Sequence, residues 1–122
     1  MNTDDIVRSL DAIIDLSLQI LEGELKQRHR SLVSGFLENV NDMKRVLPTL
    51  NEMLLTETPY KAAMTLAEDW RHPLAAIRGV AALLLDEKVI SSFSANQQAQ
   101  LKKILSLGEQ LWEWSLDGHP NL

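Results

Sequence analysis

The sequence predicts an all-α protein. Its 122 residues include only five glycines and four prolines, and they are rich in Leu, Ala, Glu, Gln and Lys, which favour helix. Apolar residues recur at intervals of three and four along most of the chain, and no run of alternating β-branched residues suggests a strand. The length fits one domain of ordinary size with a real core.

Thr3 is placed to cap a first helix, with Asp4 and Asp5 in its first turn where negative charge suits the helix dipole. Its apolar positions are Ile6, Leu10, Ile13, Ile14, Leu18, Leu21 and Leu25. The period resumes through Leu32, Phe36, Val40, Met43, Leu47, Leu50 and Leu54, so residues 3–55 form one long helix or two. The polar run Gln27-Arg28-His29-Arg30 and a capping Ser31 favour two, with Gly35 and Pro48 weakening or kinking the second. A boundary follows at Thr58-Pro59, an N-cap and a proline at the first helical position, which opens a helix running to about Asp86. Ser91-Ser92-Phe93-Ser94 breaks the pattern, and Ser94 with Gln97 makes a capping box for a last helix to roughly Leu116, stopped by Gly118-His119-Pro120. The last two helices carry apolar stripes at Leu66, Trp70, Leu74, Ile77, Val80 and Leu84, and at Leu101, Ile104, Leu105, Leu111 and Trp112, which makes them an antiparallel hairpin.

Seventeen acidic against twelve basic residues give a formal charge of −5, which argues against nucleic acid or an anionic membrane as partner and favours a protein. Arg28, Arg30, Lys44 and Arg45 are interleaved with Glu22, Glu24, Glu38 and Asp42, a solvated mixed-charge face rather than a basic patch. Without cysteine there is no disulfide, thiolate nucleophile or cysteine zinc site. Residues 12–21 are far short of the ~20 apolar residues of a membrane span, and the acidic start is unlike a signal peptide. We therefore expect a cytoplasmic protein, and the opening methionine suggests a whole gene product.

One segment carries a signature. From Leu66 to Glu87 the chain reads Leu-Ala-Glu-Asp-Trp-Arg-His-Pro-Leu-Ala-Ala-Ile-Arg-Gly-Val-Ala-Ala-Leu-Leu-Leu-Asp-Glu. This resembles the phosphoacceptor helix of sensor histidine kinases, His-Glu-Leu-Arg-Thr-Pro-Leu followed by small residues, an isoleucine, a glycine and leucines. Arg71, Pro73, Leu74, Ile77 and Gly79 match in register. The last helix is similar to that family's second hairpin helix at Leu101, Ile104, Gly108, Glu109 and Leu111, so the resemblance spans about half the chain. It implies a dimerisation and phosphoacceptor hairpin, residues 56–122, pairing with a second copy in a dimeric four-helix bundle, with residues 1–55 as a helical extension.

The departures from the pattern concern its chemistry. Glu68 stands where the family has its phosphorylated histidine, and a carboxylate cannot replace the imidazole as phosphoryl acceptor. Asp69 keeps the acidic type of the next position, and His72 takes the threonine position that the resemblance links to dephosphorylation of a partner regulator. No glycine-rich phosphate loop occurs, so an autonomous kinase is not expected.

The candidate partner-binding residues are Glu68, Asp69, Arg71 and His72, with Trp114 as a surface aromatic because it lies off the stripe that carries Trp70 and Trp112. The expected function is non-catalytic: a homodimer that binds a response-regulator receiver or a histidine kinase and modulates phosphoryl flow. Two other classes remain open. His72 as nucleophile, or Glu68 with His72 orienting a water, makes Glu68, Asp69 and His72 candidates for phosphotransfer or phosphatase chemistry. A purely structural dimerisation module is the third. Asp69 and His72 have the spacing of a helical metal site but lack a second set of inward carboxylates, so neither metal nor cofactor is expected.

Overall fold

The computed structural model describes residues 3–49 and 59–117. Among the described residues four long helices follow one another: α1 (Thr3–Glu22), α2 (Gln27–Arg45), α3 (Pro59–Leu84) and α4 (Ala95–Asp117). A 3-10 turn, Ile90–Ser92, lies between the last two. Each helix packs on its two neighbours in the ring α1–α2–α3–α4, and α4 closes the ring against α1. The chain thus forms an up-down four-helix bundle by itself. The N-terminal half is two helices, and they supply half the bundle core rather than an extension to it.

The buried positions explain the closure. They are Ile6, Leu10, Ile13, Ser17 and Ile20 on α1; His29, Val33, Phe36, Val40 and Met43 on α2; Trp70, Leu74, Ile77, Ala81 and Leu84 on α3; and Gln97, Leu101, Ile104, Gly108 and Leu111 on α4. Every run alternates steps of four and three, the seam of coiled-coil-like bundles, in which helices cross at about 20°. The stripes read from apolar residues alone were off by one position in places. Ser17 is in the core and Leu18 is 46% exposed, and His29 rather than Leu32 begins the seam of α2. The Ser17 hydroxyl tolerates this because it donates to the Ile13 carbonyl at 2.7 Å within its own helix.

Several boundaries differ from the sequence reading. Helix α2 starts at Gln27 with Lys26 as an extended N-cap, not at Ser31, and it ends at Arg45, just short of Pro48. Helix α3 begins at Pro59 as expected and ends at Leu84. The Thr58 cap, Leu50, Leu54, the side chain of Leu66 and the stop at residues 118–120 lie outside the described residues. The Ser94–Gln97 capping box is present: the Ser94 amide donates to Gln97 Oε1 at 2.9 Å and the Gln97 amide to Ser94 Oγ at 3.1 Å.

Gln97 also reaches across the bundle. Its Nε2 donates to the Ile20 carbonyl at 3.2 Å and the Glu24 carbonyl at 3.4 Å. From α2, Arg30 donates to the Leu21 carbonyl at 2.9 Å and the Gly23 carbonyl at 3.2 Å. Side chains of two other helices thus donate to carbonyls at and just beyond the C-terminus of α1, where the Ile20 carbonyl also accepts from the Gly23 amide. Gly23 leaves room for the Gln97 side-chain amide, since a Cβ there would stand 2.6 Å from Gln97 Nε2 and push the end of that side chain aside.

Gln97→Ala should therefore cost about 1–2 kcal/mol in urea unfolding, because two cross-bundle hydrogen bonds are lost while the Ile20 carbonyl keeps the Gly23 amide as donor. Gly23→Ala should cost about 1–2 kcal/mol by displacing the same amide. The double variant should cost clearly less than the sum, since the second change removes contacts already lost.

Candidate functional site

Burial of Trp70, Pro73, Leu74 and Ile77 on one side of α3 turns Glu68, Asp69, Arg71 and His72 away from the core, and all four are exposed. Glu68 and His72, four residues apart, share a strip of the outer face, while Asp69 and Arg71 stand on either side of it. Pro73 lies inside the helix and buried. Its missing N–H leaves the Asp69 carbonyl without the usual helical donor one turn below.

Beneath this face the packing is aromatic. The Trp70 indole donates to the Met43 carbonyl at the end of α2, 3.0 Å away, and its ring meets Trp114 at 6.0 Å between centroids. Trp114 is 9% exposed and belongs to the core. The expectation that it is a surface residue is corrected: at the C-terminal end of α4 the core broadens to take in this position beside Trp70. The partly exposed tryptophan is Trp112, whose ring lies 4.5 Å from the Arg78 guanidinium.

The opposite end of the bundle holds the buried polar side chains Ser17, His29 and Gln97. It also holds two open clefts. One, of about 570 Å³, is lined by residues that include Gln19, Glu22, Glu24, Asn96 and Gln100; the other, of about 550 Å³, by Glu24, Leu25, Lys26, Arg30 and Ser92. Neither reaches Glu68, Asp69, Arg71 or His72. The two clefts and the exposed side chains of the α3 face are thus separate features of the bundle. Among the described residues no three His, Cys, Asp or Glu side chains stand together as a metal site.

Three of the four basic residues of α2 are engaged locally. Lys44 pairs with Asp11 of α1 at 2.6 Å and Arg45 with Asp42 at 3.0 Å, while Arg30 serves the end of α1. With their acidic neighbours they form a mixed-charge surface, whose exposed pairs are each worth at most about 1 kcal/mol.

Sequence reasoning overlooked His29. It is 3% exposed, stacks on Phe93 at 5.0 Å, and its Nδ1 is buried with no hydrogen-bond partner. Burial, followed by the nearby charges of Arg28 and Lys26, holds its pKa below the usual histidine range. Its place in the four-three seam was the only signal in the sequence.

No known protein family, characterised protein or solved structure matches this chain.

Because the His29 pKa is lowered in the folded state, the unfolded chain binds more protons between that pKa and about 6.5, and stability falls as pH drops through this window. In denaturant titrations, the difference in stability between pH 7.5 and pH 5 should be smaller for His29→Phe than for the wild type. An equal difference would show that His29 takes up its proton as readily in the folded as in the unfolded chain, so that burial does not hold its pKa down.

Proposed function

We propose that this chain is a non-catalytic docking module of two-component signalling, which binds a response-regulator receiver domain through the outer face of α3 and thereby modulates phosphoryl transfer. The carrying observation is that the segment resembling a phosphoacceptor helix lies on a bundle helix with Glu68, Asp69, Arg71 and His72 all exposed. The same segment sets Trp70, Pro73, Leu74 and Ile77 into the core. A rigid helix with an open polar face offers recognition, and Glu68 at the acceptor position withholds the group that would take the phosphoryl.

In this reading α1 and α2 stand where the resemblance would put the second protomer's hairpin, so one chain supplies a whole bundle. The homodimer then has to use outer surfaces, where Leu18, Met64 and Leu83 are exposed, or an exchange of the α1–α2 pair between two chains. A genuine histidine kinase is the second candidate partner, engaged through the same face.

A second reading is enzymatic. His72 is an exposed imidazole beside two exposed carboxylates, a group able to carry a phosphoryl or to help a water attack an acyl phosphate. It is separated from the first by chemistry: acid-labile label on His72, or faster loss of label from a phosphorylated receiver, establishes it.

The binding test uses purified receiver domains, with and without beryllofluoride, titrated by calorimetry. Glu68→Ala/His72→Ala should unfold within about 2 °C of the wild type, as surface changes do, while the affinity for the receiver falls roughly tenfold, about 1.4 kcal/mol. Equal affinity removes these residues from the interface, and absence of binding by the wild type across receivers and kinases rejects the proposal.

A further inference from the structure

Arg78 is the residue whose environment the fold leaves unexplained. It is half-buried at the α3–α4 edge, with its side-chain stem against Gly108, where a Cβ would come within 3.4 Å of Arg78 Cγ. Its guanidinium lies over Trp112 at 4.5 Å. Its Nε is buried with no acceptor, and no ion pair is formed with it among the described residues. Exposed carboxylates are present on α4 at Glu109 and Glu113, on either side of Trp112 in the sequence, yet neither pairs with it. A cation that loses part of its hydration is ordinarily paired, and an orphaned buried N–H is costly.

We propose that Arg78, seated over Trp112, is an anchor for a carboxylate side chain of a protein partner. The tryptophan ring under the guanidinium and Gly108 beside the stem restrict the side chain before any partner arrives. Since only Nε is sealed off, a carboxylate is met end-on by the two terminal nitrogens, the bidentate geometry that makes arginine selective for planar anions. Arg71, exposed two turns earlier on the same edge of α3, adds positive charge beside it. The site is an open edge that neither cleft touches, so a partner's own surface is needed to exclude water from the ion pair. This favours a side chain presented by a protein over a free small anion. Half-exposed tryptophan and arginine are also the residue types on which binding energy concentrates. The inference rests on the docking reading above, and it extends the surface from Glu68 and His72 to the α3–α4 edge.

The test uses the full chain, labelled with nitrogen-15, and a tetraglutamate peptide as probe. The Arg78 Nε–H and Trp112 indole signals should shift saturably, at peptide concentrations several-fold below those that move Arg8, Arg28 and Arg45. Arg78→Gln should abolish the Trp112 response. Arg78→Lys, which keeps the charge but loses the planar fork, should weaken it several-fold and decides the matter if the glutamine variant fails to fold. Arg78 shifting no earlier than the other arginines, or an unchanged Trp112 response in these variants, overturns the proposal. If the peptide responds at Arg78 while no receiver or kinase binds, the anchor stands and the two-component reading falls. If receivers bind but the peptide response is absent and Arg78→Gln leaves receiver affinity unchanged, the reverse holds.

Discussion

The bundle depends on how the end of α1 is tied off. Ending a helix leaves carbonyl groups without donors, and burying them unpaired would undo much of what apolar packing contributes. Here Gln97 from α4 and Arg30 from α2 donate to the carbonyls of Ile20, Leu21, Gly23 and Glu24, beside the Gly23 amide that also serves Ile20. The two helices that must flank α1 in the ring are the two that satisfy its terminus. A polar requirement therefore selects the same arrangement as the four-three apolar seam, and that agreement distinguishes a unique bundle from a set of interchangeable helix pairings.

Polarity is distributed unevenly along the bundle. Ser17, His29 and Gln97 gather at the end with the clefts, whereas Trp70, Met43 and Trp114 fill the other. The polar end draws its specificity from hydrogen bonds, which a proton on His29 would disturb. The tryptophan end is packed through Trp70, Met43 and Trp114, and it is there that α3 presents Glu68, Asp69, Arg71 and His72 to solvent. A recognition face gains from such backing, because side chains rooted in a packed helix lose little further freedom on binding.

Much of this was legible in the sequence. The four helices, the Pro59 start and the Ser94–Gln97 box follow from local signals, and the outward face of α3 follows from the spacing around Trp70 and Leu74. What escaped depends on contacts between distant segments. Ser17 and His29 occupy seam positions that an apolar count passes over. The second half of Gln97's role lies on α1, and the α2 cap at Lys26 is tied to the early placement of Arg30. Trp112 and Trp114 are two residues apart in a helix whose core widens at its end. Only the position of α3 decides that the first holds Arg78 at the edge and the second meets Trp70 inside.

The central claim is that α1 closes on α4 of its own chain, and the contact between Gln19 and Gln100, 2.9 Å apart on the surface, reports it directly. Because the protein has no cysteine, a Q19C/Q100C variant places the only two thiols at that contact. Treated with a short bis-maleimide at low protein concentration and analysed by mass spectrometry, it should give an internally bridged monomer of 13.8 kDa plus one linker. A covalent dimer as the main product, or two thiols that react without bridging, would contradict closure within one chain.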